Sequence, residues 1–344
     1  MSAAAKPKVI VSGMRPTGRL HLGNLLGALS NWIKLQADYD CFFFVADWHT
    51  LTTKAEQDEE SLRERSRDMV IDWLAAGLDP ARAVLFRQSA IKEHAELHLL
   101  LSMIIPTPWL LRNPTVKEQA RELGLIEGDD ESEMTRINFG HLGYPVLQSA
   151  DILVYKADAV PVGIDQAPHI EITREVARRF NHLYRREVFP EPRTLLTEVP
   201  KIPGTDGRKM SKSFNNAVYL SDSTEDVEKK LGRMMTDPRR VRRNDPGDPE
   251  DCPAFNLHKI FCTADEIDFV TTNCRSAGIG CLDCKRIMIK HVVAFLEPIH
   301  ARRAEIENDP DHVDAVLEQG NLCARAAAQA TMAEVREAVG LPRD

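Results

Sequence analysis

Nothing in this 344-residue sequence approaches the roughly 20 consecutive apolar residues that a membrane-spanning helix needs, so no span is expected. The stretch from Met1 to Lys8 lacks the apolar run of a secretory leader, which makes the cytoplasm the expected compartment. No internal repeat or low-complexity tract is evident. An excess of positive charge is missing too. The formal net charge of -8 argues against a protein that coats nucleic acid without regard to sequence, while leaving room for a local basic patch that steers one RNA. What remains, at 43% hydrophobic and 28% charged residues, is an ordinary globular chain, long enough for one large domain and a smaller one.

Two basic patches stand out: Arg174, Arg178, Arg179, Arg185 and Arg186, and then Arg239, Arg240, Arg242 and Arg243. Taken alone, such patches are more often solvated helix faces or salt-bridged loops than RNA contacts. The second lies among Pro238, Pro246 and Pro249 and reads as an exposed loop.

Short β-branched or apolar runs at Lys8 to Ser12, Cys41 to Ala46, Ala83 to Gln88 and Ala159 to Gly163 predict buried strands. Leu22, Leu25, Leu26, Leu29, Trp32 and Ile33 fall at helical spacing, and a polar helix is predicted from about Ser61 to Ala76, closed by Gly77 with Pro80 beyond. Strands alternating with helices imply an α/β fold, a Rossmann-like doubly wound parallel sheet. Ala90 to Tyr155 reads as mostly helical, with a surface loop at Glu127 to Glu133. After Ser213 the pattern becomes helical and charged. The expected division is therefore a catalytic domain over residues 1–216 and an α-helical domain over 217–344.

The first strand runs into Gly13-Met14-Arg15-Pro16-Thr17-Gly18, then into His21-Leu22-Gly23-Asn24 at a helix start. Unpaired N–H groups and the positive end of a helix dipole make such a turn an anion site, and its glycines let a nucleotide approach the backbone. His21 is suited to donate a hydrogen bond to a phosphate. Alone, the motif is more often a packed turn with a surface histidine. Gly207-Arg208-Lys209-Met210-Ser211-Lys212-Ser213 supplies two lysines and two hydroxyls on a glycine-led loop, a clamp for a polyphosphate. Together the two segments resemble the paired signatures of the class I aminoacyl-tRNA synthetases. That resemblance implies ATP and Mg2+, with His21, Lys209 and Lys212 as catalytic residues.

A longer match narrows it. Arg15 through Leu29, Tyr144 through Leu153, Val160 through Gln166, and His169 through Glu175 closely resemble the bacterial tryptophanyl-tRNA synthetases, in the same order and over nearly the whole chain. The resemblance implies an ATP site of Arg15, Pro16, Thr17, Gly23, Asn24, Gly163, Ile164, Asp165, Ile202, Lys209, Met210, Ser211, Lys212 and Ser213. It implies a tryptophan site of Tyr144, Gln148, Asp151 and Gln166, with Asp151 accepting the indole N–H and Tyr144 and Gln166 holding the α-amino group. A carboxylate only accepts, which suits an indole's single donor, and one left unpaired when phenylalanine enters would discriminate strongly. The apolar neighbours of Asp151 speak against a surface aspartate. Gln148 stands where some members carry methionine. The implied partners are L-tryptophan, ATP, tRNA(Trp) and a second copy in a homodimer, with helices after about Ser89 at the interface.

Five of the seven cysteines fall between 252 and 284. Cys252, Cys274, Cys281 and Cys284 have the spacing C-x21-C-x6-C-x2-C (274−252−1, 281−274−1, 284−281−1). In a cytosolic chain this is a thiolate metal site before it is a disulfide framework, and chemistry alone favours zinc. A subset of the bacterial tryptophanyl enzymes carries a [4Fe-4S] cluster on a similar pattern, and the resemblance puts that cluster ahead of zinc and of a site that has lost its metal. Cys41, Cys262 and Cys323 are expected to be core helix residues. The alternatives are a tyrosyl-tRNA synthetase, a catalytically dead synthetase-like iron-sulfur RNA-binding protein, and a general nucleotidyltransferase of the same superfamily.

Overall fold

A computed structural model describes residues 8–52, 61–128, 133–163, 167–196 and 202–342. The first half alternates as expected: β1 (Val9–Met14), α1 (Leu22–Asn24), α2 (Ser30–Leu35), β2 (Asp40–Val45), α3 (Asp47–Leu51), α4 (Leu62–Ala76) and β3 (Ala83–Arg87). Helices α5 (Glu93–Ser102), α6 (Thr107–Leu111), α7 (Pro114–Glu122) and α8 (Phe139–Leu153) then precede β4 (Ala159–Val162), α9 (Ala167–Tyr184) and β5 (Arg193–Leu196). Beyond residue 202 the regular elements are helical: α10 (Thr224–Gly232), α11 (Pro253–Phe261), α12 (Ala264–Arg275), α13 (Cys281–Glu307) and α14 (Pro310–Val339).

The five strands form one parallel sheet in the order β3-β2-β1-β4-β5. The chain reverses its direction of travel across the sheet between β1 and β4, so the crevice at their C-terminal ends is where such a sheet binds ligands. Strand side chains alternate between two cores. Ile10, Phe43, Val45 and Leu85 face one, where Trp32 stacks on Phe43 at 4.4 Å, and Val11, Phe44, Phe86 and Val160 face the other.

Local chemistry sets the helix ends. Ser61 and Glu64 cap α4 reciprocally, and Gly77, at φ +117°, ends it in the left-handed conformation. The helix expected from Leu22 to Ile33 is instead broken. A π-helical stretch, Leu25–Leu29, separates α1 from α2, with Gly27 at φ −90° and ψ −107°. Helix α13 begins at Cys281, with Gly280 as its N-cap.

The C-terminal helix closes the sheet edge. A Cβ on Gly320 would lie 1.8 Å from the Leu85 carbonyl oxygen, so only glycine permits the approach of α14 to β3. The next residue, Asn321, accepts the Arg87 N–H through Oδ1 at 3.0 Å and occupies an edge donor. Ala324, Ala328, Met332 and Val335 of α14 fill the second core.

A buried ion network ties the helical portion to the start of the chain. Arg303 of α13 pairs with Asp72 and Asp68 of α4 and reaches Glu307 at 3.0 Å. The other oxygen of Asp72 accepts the Leu20 N–H at 3.2 Å, immediately before the His21 turn. Burial pushes the Asp72 carboxyl up to about 6, against the pull of Arg303. Its folded pKa exceeds the unfolded one, so this group costs stability as pH rises through that range, and Arg303 offsets the cost. Arg303→Met should lower stability by about 3–5 kcal/mol at pH 8, because an unpaired buried charge remains. At pH 5 the carboxyl can take up a proton, and the deficit should shrink. Urea unfolding across that range checks this, and a deficit independent of pH would remove Asp72 as the cause.

Candidate functional site

The crevice after β1 and β2 opens into a cavity of about 290 Å³ lined by Gly13, Met14, Arg15, Phe44, Ala46, His49, Thr52, Gln119, Tyr144, Gln148 and Asp151. Gly13 is required there, since a Cβ would sit 2.5 Å from the Phe44 ring. Of the four residues expected to meet the substrate, Tyr144, Gln148 and Asp151 share this cavity. Gln166, with Ile164 and Asp165, lies outside the described residues.

Asp151, on α8, is 1% exposed and already satisfied. Its carboxylate accepts from His49 Nε2 at 2.7 Å, His94 Nδ1 at 2.6 Å and Gln88 Nε2 at 2.8 Å. Burial alone would raise its pKa, but the two histidines outweigh that and hold the group far below the usual carboxylate range. The expectation that this charge would stand unpaired without its ligand is therefore corrected. Three side chains satisfy it through four contacts, two on each oxygen, because Gln88 Nε2 also reaches the second oxygen at 3.0 Å. With Nδ1–H given to Asp151, His94 Nε2 accepts from the Tyr155 hydroxyl at 2.7 Å. Burial first, then the Asp151 charge, keeps Tyr155 protonated and able to donate. Tyr144 is likewise held neutral by burial, with its hydroxyl 2.8 Å from His169 Nε2.

The two signature segments meet beside this cavity. His21 is the N-cap of α1. Its Nδ1 accepts the Asn24 N–H at 3.3 Å, while Asn24 Oδ1 accepts the His21 N–H at 3.0 Å. Burial, then the charges of Lys212 and Lys209, lower the His21 pKa to about 4. The ring is neutral, and since Nδ1 is the acceptor, the proton resides on Nε2. A Cβ on Gly23 would crowd that ring at 3.0 Å. Lys212 Nζ donates to the Gly18 carbonyl at 2.7 Å and lies 3.4 Å from Thr17 Oγ1, with Gly18 at φ +104°. Leu22 N–H to Val218 O at 3.0 Å and Leu220 N–H to Leu20 O at 2.9 Å stitch the two segments together.

The lysine loop is held from beneath. Met210 N–H donates to Ile202 O at 2.9 Å, and both side chains are buried. Asn216, 1% exposed, accepts the Ser211 N–H at 2.8 Å and donates to Asp206 Oδ1 at 2.6 Å and Lys209 O at 3.2 Å. Gly204 must lack a Cβ, which would fall 2.2 Å from the Asn216 amide. Lys209 is exposed, Ser213 lies in the short helical turn Lys212–Phe214, Pro16 is buried, and Gly163 ends β4.

His49, Gln88, His94 and Asn216 were not legible as site residues. The first three follow β2 and β3, the strand ends where ligands bind, and that position was the available signal. Asn216 carried none.

The basic patches resolve into pairs. Arg174 and Arg178 bridge Glu171, Glu175 and Glu191, and Arg186 bridges Glu337. Arg239 bridges Asp237, Asp248 and Asp251, whereas Arg240 is buried rather than on an exposed loop.

Arg240 leads to the cysteines. Its Nη1 is 3.9 Å from Cys274 Sγ, its Nη2 donates to the carbonyls of Arg243 at 2.9 Å and Ile279 at 2.5 Å, and its Nε is buried without a hydrogen-bond partner. Cys252 caps α11, Cys274 lies in the last turn of α12, and Cys281 and Cys284 occupy the first turn of α13. Burial, then the neighbouring thiols of Cys252, Cys274 and Cys281, push Cys284 up to about 12. The expectation for the other three cysteines fails in part. Cys41 is buried but in β2, Cys262 is a half-buried C-cap, and Cys323 is exposed on α14.

The family described as tRNA synthetases class I (W and Y) matches residues 3–297. The tryptophan–tRNA ligase of Thermotoga maritima is 52% identical over 96% of this chain and 99% of its own length, and that of Aquifex aeolicus 48% over 97% and 100%. Among solved structures, the Campylobacter jejuni tryptophanyl-tRNA synthetase complexed with ADP and tryptophan superposes with a TM-score of 0.84 at 31% identity, covering 97% of this chain and all of that one.

The Asn216 contacts make a prediction about the loop alone. Asn216→Ala should free the lysine loop and slow ATP-dependent turnover by tenfold or more, at about 1–3 kcal/mol per buried partner left unsatisfied. Amino-acid binding in the separate cavity should stay within twofold. A calorimetric titration showing amino-acid affinity lost in parallel would overturn this division.

Proposed function

The chain belongs to the class I tRNA synthetases of the tryptophan and tyrosine group, and from that premise we propose roles for its individual residues. Its activity is that of a tryptophan–tRNA ligase, using ATP to activate L-tryptophan and charging tRNA(Trp) with it. ATP with magnesium is the expected nucleotide of this class.

The observation that carries the residue assignment is the Lys212 ammonium on the Thr17–Gly18 turn beside the neutral His21, next to the cavity that Asp151 closes. We assign tryptophan to that cavity, with its indole N–H donated to Asp151 in place of one of the present Gln88 contacts, and with Tyr144, Gln148 and Gln166 around it. Arg15, Pro16, Thr17, Gly23, Asn24, Gly163, Ile164, Asp165, Ile202 and Lys209 to Ser213 are assigned to ATP. A carboxylate oxygen of tryptophan attacks the α-phosphorus, the bond to the bridging oxygen breaks, and pyrophosphate leaves with the electron pair. Lys209, Lys212 and the Nε2–H of His21 stabilise the charge on the phosphates without a covalent enzyme intermediate. Magnesium adds neutralising charge when bound. A hydroxyl of the terminal adenosine of the tRNA then attacks the activated carbonyl and releases AMP.

The rest of the reading is ours as well. Residues 1–216 form the catalytic part, and 217–344 the anticodon-binding part, reached by the loop that carries Arg239, Arg242 and Arg243. Exposed Leu99, Met103 and Phe139, all after Ser89, support a homodimer face. The compartment is the cytoplasm, and among the described residues no helix is long and apolar enough to cross a membrane.

Cys252, Cys274, Cys281 and Cys284 would hold a [4Fe-4S] cluster, with zinc the alternative. Two observations fit an anionic centre there. Arg240 is a buried cation whose Nε lacks a hydrogen-bond partner, and a Cβ on Gly247 would lie 2.7 Å from Cys274 Sγ, so the backbone cradles that sulfur. The cluster's contribution is structural: it joins the starts of α11 and α13 to the end of α12.

Lys212→Ala should slow tryptophan-dependent pyrophosphate exchange at least 100-fold while leaving tryptophan affinity within about twofold, in the range seen for a lost transition-state contact. Unchanged exchange would remove this lysine from the mechanism. Protein purified without oxygen should be brown, absorb near ~400 nm and hold about four irons per chain. A colourless protein with zinc bound by four sulfurs would overturn the cluster.

A further inference from the structure

Beyond these sites, another set of donor atoms converges where α11, α12 and α13 meet. Cys262 is the C-cap of α11, Glu266 lies in the first turn of α12, and His291 lies on α13. One donor atom from each, a thiol sulfur, a carboxylate oxygen and an imidazole nitrogen, lies within 4.8 Å of the other two, and all three residues are half-buried. His291 Nε2 and Glu266 Oε2 form an ion pair at 2.7 Å, a contact that a shared tetrahedral ion would open to roughly 3.3 Å between its ligands.

The surroundings hold the set in place. Glu266 Oε2 accepts from Thr263 N and Thr263 Oγ1, both at 3.0 Å, in the capping box of α12. His258, fully buried, places Nδ1 3.3 Å from Cys262 Sγ and Nε2 3.4 Å from Cys284 Sγ. Such outer contacts orient ligands and tune them. A helix cap and a surface ion pair would account for Glu266 and His291. They do not account for the Cys262 thiol, which sits beside both groups with His258 behind it.

We propose that Cys262, Glu266 and His291 form a second metal site in this chain, suited to zinc. One sulfur, one nitrogen and one oxygen ligand match zinc's preferences, with water completing a tetrahedron. The Cys262 thiol loses its proton to solvent as the Zn–S bond forms. The ion clamps the three helices that also carry Cys252, Cys274, Cys281 and Cys284, and His258 connects the two centres. The site does not rest on the identity of the four-thiol centre, because its ligands are different atoms.

The test uses full-length protein purified without oxygen, dialysed against zinc buffered by a weak chelator, with zinc and iron measured on the same sample. One zinc per chain is expected, with an X-ray absorption edge showing a single sulfur among nitrogen and oxygen neighbours. Cys262→Ser and His291→Ala should each reduce bound zinc at least tenfold at the same free zinc, with iron content unchanged. The absorption spectrum of the unaltered protein keeps the test decisive should a variant misfold. No zinc above background, zinc retained by both variants, or a four-sulfur shell would each overturn the site.

Discussion

Asp72 is where the two halves of this protein hold each other. Its carboxylate is fully buried, and its two oxygens serve different masters: one pairs with Arg303 of α13, the other accepts the Leu20 N–H just ahead of His21. A charge in that position is tolerated only while its partners are in place. The helical portion is thus part of what shapes the candidate site. It supplies the cation that lets α4 hold the signature turn, and it returns through α14 to cover the β3 edge at Gly320. The position of His21 depends on a residue more than 280 positions away (303−21 = 282).

The two parts of the candidate site manage charge in opposite ways. In the cavity after β1 and β2 a single anion, Asp151, is surrounded by donors, which keeps it ionised and rigid. Where the two signature segments meet the cations gather, and the histidine between them stays neutral because burial and two ammonium groups oppose its protonation. A neutral ring whose Nδ1 is tied into a helix cap can present only Nε2–H, a fixed donor that needs no reorganisation when phosphate charge develops. Preorganisation of this kind draws on ordinary structural devices, a capping box and a glycine that clears space for the ring.

At the junction of α11, α12 and α13 groups able to bind metal gather. Four thiols share one side with the buried Arg240, and a mixed thiol–carboxylate–imidazole set occupies another, with His258 between them. Ions bound there, as proposed, would crosslink the three helices.

Much of this was legible in the sequence because it rests on local rules. Four of the five strands betrayed themselves by short β-branched or aromatic runs, while the edge strand β5 (Arg193–Leu196), too short and polar to stand out, did not; α4 showed in its Ser61–Glu64 cap and Gly77 stop, and the paired signatures in two contiguous motifs. The resemblance to tryptophanyl enzymes rests on contiguous segments too. What pattern could not reveal was long-range. The break at Gly27 overrides a clean helical periodicity. The satisfaction of Asp151 by His49, Gln88 and His94 joins three separate segments, and the pinning of the lysine loop by Asn216 has no motif. The cysteine spacing pointed to a metal but not to the meeting of Cys262 with Glu266 and His291, four and twenty-nine residues away on other helices (266−262, 291−262). Local propensity and contiguous motifs are written in neighbouring residues, while satisfying a buried charge or gathering ligands depends on which distant side chains the packed fold delivers to the same place.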